Sequence, residues 1–270
     1  MRDPRHADIR WQDLVVLSRL EICRELAMPL LALALALLAG TAGFLGITVL
    51  ASFTLFMLGL RVTHGAFHRS IGLRGTPNDL AMFTLSALLG GSMHAIEVTH
   101  LRHHRDCLGA DDVEGHIAAH GFWRALLDSP RYPLAIHRAG WKHATPRQRR
   151  WIAAELLIAA CIHLALWLFG TQALRMIALS LYVANALAAM PGIWCVHHGG
   201  HHNPAARMRS TRSRWIARLT ANMFHHAEHH AFPAVPTCHL PQLAQRFDRA
   251  DATPPPILNL GMRGRAAASD

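Results

Sequence analysis

The chain has 270 residues, with 27 lysines and arginines against 17 acids, a net charge of +10, and 21 histidines. Length alone allows one or two soluble domains. The five cysteines, Cys23, Cys107, Cys161, Cys195 and Cys238, form no CxxC pair, which argues against a disulfide framework or an iron–sulfur cluster. The positive charge comes with no basic–aromatic motif, so it does not point to nucleic acid.

Residues 1–26 carry Arg2, Arg5, Arg10, Arg19 and Arg24 together with five acids. No short apolar core with a small-residue cleavage site follows, so this N-terminal segment does not read as a signal peptide. Ala27 to Leu60 then runs for 34 residues without a charged side chain. As one helix at about 1.5 Å per residue it would be roughly 50 Å long, well over the ~30 Å hydrocarbon core. It is read instead as a hairpin of spans 27–43 and 44–60, turning near Gly40 to Gly46. Leu80 to Ile96 is apolar for 17 residues, but it is short and contains Gly90, Gly91 and His94. That segment, 80–96, is expected to be a re-entrant or surface-lying helix. A second hairpin is expected from spans 154–172 and 176–196, broken by Gly170, Thr171, Gln172 and Arg175.

Of the 27 bases only Arg175 falls in an outer turn. The positive-inside pattern therefore places the N-terminus, segment 61–150 and the tail from 197 on the cytoplasmic side, with the bacterial inner membrane as the expected setting. The excess charge would face anionic headgroups, at about 1 kcal/mol per well-placed base. The expected fold is an all-α integral membrane protein, about four transmembrane helices in two hairpins, with a cytoplasmic helical cap. Residues 27–245 form the membrane domain, and 246–270, with Pro254, Pro255, Pro256 and a Gly/Ala/Arg end, are expected to be a disordered tail.

The histidines fall in clusters. His64 and His68 are four residues apart; His100, His103 and His104 form HxxHH; His226, His229 and His230 form HxxHH again. Such spacings place imidazoles on one face of a helix. Eight histidines with few cysteines fit a two-ion centre better than a structural zinc site. The topology puts all three clusters on one side of the membrane. Carboxylates are the natural partners of ligating imidazoles. Glu97 and Glu228 lie within about one helical turn of a cluster, and Asp106, Asp111, Asp112 and Glu114 follow the second. Glu97, Glu228 and Asp111 are the candidates carried forward.

The order HxxxH, HxxHH, HxxHH, with one membrane hairpin before the first box and another before the last, resembles the membrane fatty acid desaturase superfamily. The piece from Phe224 to Pro236 is especially similar to its third box. The resemblance covers about 27–245. It implies that His64, His68, His100, His103, His104, His226, His229 and His230 hold two irons, with O2 as co-substrate. A further ligand is expected from the run His197, His198, His201, His202; His201 is preferred, with His197 and His198 behind it. Electrons would come from a ferredoxin or cytochrome partner with its reductase, since no fused carrier is visible. The activity implied is O2-dependent attack on C–H bonds of a lipid, a fatty acyl chain first, with carotenoid ketolases and hydroxylases as the alternative. A histidine-rich metal transporter is a more distant reading, because transporters place ligands within spans and here only His163 lies well inside one.

Overall fold

The computed structural model describes His6 and residues 8–200 and 207–257. Among them every regular element is a helix, and the only ladder contact is an isolated bridge between Ser210 and Pro256. Four helices are long and apolar enough to cross a membrane: Arg19–Thr41, Leu45–Phe67, Pro146–Phe169 and Gln172–His197. The first three are α1, α2 and α7; the fourth comprises α8 (Gln172–Leu187), a π-turn at Met190–Trp194 and α9 (Cys195–His197). Large apolar side chains point outward from them, among them Leu31 at 67%, Leu38 at 69% and Leu164 at 60% exposed. Water would not tolerate such a surface, but lipid does.

The spans are longer than their apolar runs, because polar caps start them early. Ser18 and Glu21 form a capping box that opens α1, and Thr145 and Gln148 form another that opens α7 with Pro146 in its first turn. The first hairpin turns at Ala42–Phe44, where Gly43 takes a φ of 80°. Small residues let α1 pack closely: Ala32, Ala36 and Ala39 are buried on it, and a Cβ on Gly40 would lie 2.8 Å from the Ala173 Cβ at the start of α8. α2 runs on to Phe67, so His64 sits within its last turn rather than beyond it. Pro191 cannot donate to the helix that contains it, and the chain absorbs this as the π-turn.

Segment 80–96 is not one helix. α3 (Thr76–Leu89) and α4 (Met93–Arg105) meet at 110° across Gly90, which adopts φ 78°. Ser92 caps α4, its N–H donates to His137 Nε2 at 2.7 Å, and its hydroxyl donates to Glu155 at 2.6 Å. His68, just before this pair, lies against His100 and His104 near its end, so the chain returns to the side it left. α6 (Tyr132–His143) lies on α4; at their closest approach a Cβ on Gly140 would come 2.5 Å from the Ala95 carbonyl oxygen.

Beyond the spans, α10 (Arg214–Leu219), α11 (His226–Ala231) and α12 (Leu240–Arg249) follow, with α5 (Phe122–Asp128) in the central segment. Ile9, Leu14, Phe232, Val235, Leu240, Leu243, Phe247 and Ala252 form one buried cluster that joins both ends of the chain. The expected disordered tail is therefore corrected at its start. The apolar faces of Phe247, Ala252 and Ile257 are buried, so the fold continues to residue 257, and 258–270 lie outside the described residues.

Candidate metal centre

Four short pieces of chain bring nine imidazoles together in two adjoining groups. One holds His64, His68, His100, His104 and His229; the other holds His103, His197, His226 and His230. Within each, one donor atom from every ring lies within 4.8 Å of the rest. The first group is tied by Nε2–Nε2 distances of 3.0 Å for His68–His100, 3.1 Å for His100–His104 and 3.0 Å for His104–His229. In the second, His197 Nε2 is 3.1 Å from His103 Nε2 and 2.7 Å from His226 Nε2. The groups touch where His104 stacks on His230 with ring centroids 4.1 Å apart.

Helical spacing sorts the ligands. His100 and His104 are one turn apart on α4 and serve one group, while His103, on the adjacent flank, serves the other. α11 splits likewise, with His229 in the first group and His226 and His230, four residues apart, in the second. An HxxHH box on a helix thus contributes to both donor groups.

The outer nitrogens decide where the inner ones point. His103 Nδ1 lies 2.7 Å from Asp112 Oδ2, His100 Nδ1 lies 3.1 Å from Glu114 Oε2, and His197 Nδ1 lies 2.5 Å from the Arg207 carbonyl oxygen. Each acceptor holds its ring's Nδ1 outward and leaves Nε2 to face the group's centre. Burial holds His100, His226, His229 and His230 well below the usual histidine range, and His68 at about 4, so these rings stay neutral. His103 differs. Burial opposes its charge, yet hydrogen bonds to Asp112 and Cys107 lift it to about 10, so its surroundings favour a positive charge there. Burial also pushes Glu114 up to about 7. Converging neutral lone pairs repel unless a cation lies among them, and His230 Nε2 is buried with no hydrogen-bond partner among the described residues. This donor set fits two imidazole-binding transition-metal ions.

Of the eight box histidines, all are brought together. His197 joins them as the ninth; the preferred His201 lies outside the described residues along with His202. His198 does not join: its ring stacks on Trp194, and Nδ1 approaches the Ala118 carbonyl. The reason is the single residue between helical and extended backbone, since His197 closes α9 while His198 leaves it at ψ 133°.

The carboxylate expectations are corrected. Glu97 is drawn to Arg69 at 3.0 Å, because its side chain leans toward the start of α4, away from His100. Glu228 hydrogen-bonds Ser210 and pairs with Arg212 at 2.8 Å. Asp111 is exposed. The acids that meet the imidazoles are Asp112 and Glu114, from the loop that folds back under α4. Asp112 is also fixed by the N–H groups of Leu108 and Gly115, at 2.8 and 3.0 Å. Asp112→Asn is expected to lower metal affinity about 10- to 100-fold, read by competition with a chelator.

An apolar cavity of about 490 Å³ reaches both groups. Its lining includes Leu50, Phe53, Leu89, Ile136, Ala184 and Ile193 together with His64, His100 and His226. Along α2 from Leu50 to His64 this is about 21 Å at the helical rise.

Among the described residues, an all-helical arrangement with four helices long and apolar enough to cross a membrane, and nine imidazoles gathered beside an apolar cavity, defines a membrane-protein class with a candidate metal centre. The profile of the fatty acid desaturase family matches residues 39–257, and the chain belongs to that family. Comparison with curated proteins gave no match, nor did comparison with solved structures. Membership makes the protein a membrane oxidoreductase of the desaturase and hydroxylase type.

Proposed function

We propose that the protein is an O2-dependent di-iron enzyme that attacks a C–H bond of a lipid, most simply a fatty acyl chain, as a desaturase or hydroxylase. The observation that carries this reading is the cavity, whose wall includes imidazoles of both groups, His64 and His100 from one and His226 from the other. A methylene seated against these imidazoles would lie beside both candidate ion positions. When bound, two irons with O2 and two electrons from an external donor supply the oxidising power that an unactivated C–H bond requires.

The chain's own residues do the rest. Leu50, Phe53, Phe56 and Met57 on α2 and Ala184, Leu187 and Ala188 at the end of the second hairpin give the cavity apolar walls, which hold an alkyl chain and exclude water. Asp112, Glu114 and the Arg207 carbonyl keep the ligand nitrogens aimed. Arg218 and the exposed Trp215 on α10 lie at the rim and the adjoining surface, where a headgroup would rest. The arginine distribution supports a cytoplasmic centre, where a soluble ferredoxin or cytochrome would deliver electrons.

The test is expression with a ferredoxin and its reductase, followed by analysis of lipids and pigments. New acyl double bonds or hydroxyls are expected. Oxygenated carotenoid rings with unchanged acyl chains would transfer the assignment to the ketolase and hydroxylase reading.

A further inference from the structure

A third donor group lies outside the nine imidazoles, where the two ends of the chain meet. Glu21 stands in the first turn of α1, and Cys238 and His239 follow one another in a turn closed by the His239 N–H to the Pro236 carbonyl at 2.8 Å. One carboxylate oxygen, the Cys238 Sγ and one His239 nitrogen all lie within 4.8 Å of one another.

Both nitrogens of His239 face oxygens: Nδ1 is 2.7 Å from the Leu14 carbonyl, and Nε2 is 2.9 Å from Glu21 Oε1. A carbonyl only accepts, so Nδ1 carries a proton. A neutral ring then turns the Nε2 lone pair on a carboxylate oxygen. Either a second proton or a shared cation resolves that repulsion. The neighbouring thiol favours the cation, because it adds nothing to a His–Glu ion pair yet completes a nitrogen, oxygen and sulfur set of the kind zinc takes. The carbonyl on Nδ1 is the support that metal-bound imidazoles use. Glu21 is divided to match: Oε2 accepts from the Ser18 N–H and hydroxyl at 2.8 and 2.7 Å, leaving Oε1 for the site.

We propose that Glu21, Cys238 and His239 bind one zinc ion, which fastens the N-terminal segment to the piece of chain that follows the third histidine box. On binding, the Cys238 thiol gives its proton to solvent as the Zn–S bond forms, without redox change. The ion would sit beside the buried cluster of Leu14, Phe232, Val235 and Leu240, and so brace the segment that carries His226, His229 and His230. Glu21 precedes residue 39, where the family match begins, so the site lies partly outside the matched region.

The test uses the full-length protein in detergent, titrated with Co2+ and separately with Zn2+. Wild type and Cys107→Ser, a control because Cys107 Sγ lies 3.8 Å from His197 Nδ1, should show thiolate-to-cobalt absorption, which Cys238→Ser lacks. Glu21→Gln should weaken zinc binding at least about tenfold. In wild type, Zn2+ should protect Cys238 from maleimide and a chelator should restore its reaction, a measurement that needs no variant to fold. An unchanged cobalt band and zinc content in Cys238→Ser, or alkylation of Cys238 indifferent to Zn2+, would overturn the proposal.

Discussion

His197→Ala is expected to lose at least about 100-fold in activity and to hold roughly one iron per chain instead of two, whereas His198→Ala keeps both. His197 is fully buried and bridges His103 and His226 through Nε2, with Nδ1 held by the Arg207 carbonyl. With four imidazoles in its group, loss of this one opens the coordination and also frees the ring that spaces its neighbours. His198 has no such role, since its ring lies on Trp194. Iron analysis and product formation on the two purified variants check the pair. Equal loss in both would mean that the region as a whole, not His197, matters.

Arg61→Ala is expected to destabilise the protein by about 3–5 kcal/mol, seen as a large fall in thermal midpoint in detergent. Arg61 and Glu25 face each other across α1 and α2 with N–O distances of 2.7 and 2.6 Å, and both are buried. Removing one partner strands the other's charge in an apolar setting. The guanidinium also donates to the Ala221 carbonyl at 2.7 Å, in the turn just before the third histidine box, where Ala221 and Asn222 both take positive φ. The same variant should therefore loosen the cavity wall formed by Ala221, Met223 and Phe224. Replacing both partners, Glu25→Leu with Arg61→Met, is expected to recover most of the stability, because neither charge is then left alone.

The helices and the box histidines were legible because they rest on local patterns. Apolar runs fix spans, and i, i+3, i+4 spacing fixes which rings share a face. Even the division of HxxHH between two groups follows from that spacing. What was not legible depends on where loops return. Asp112 rather than Asp111 meets His103 because the loop after α4 is fastened through Leu108 and Gly115, which no spacing rule encodes. Glu97 and Glu228 had the right sequence distance but found arginines instead. The pairing of His239 with Glu21 joins residues 218 apart, beyond any motif. Which acids meet the imidazoles needed the fold.

The central claim is that the nine imidazoles hold two irons. Metal analysis of protein purified from iron-replete cells, reported per chain alongside activity, tests it most directly. About two irons per chain is the predicted result, falling to about one in His197→Ala. Active protein that carries zinc and no iron would contradict the claim.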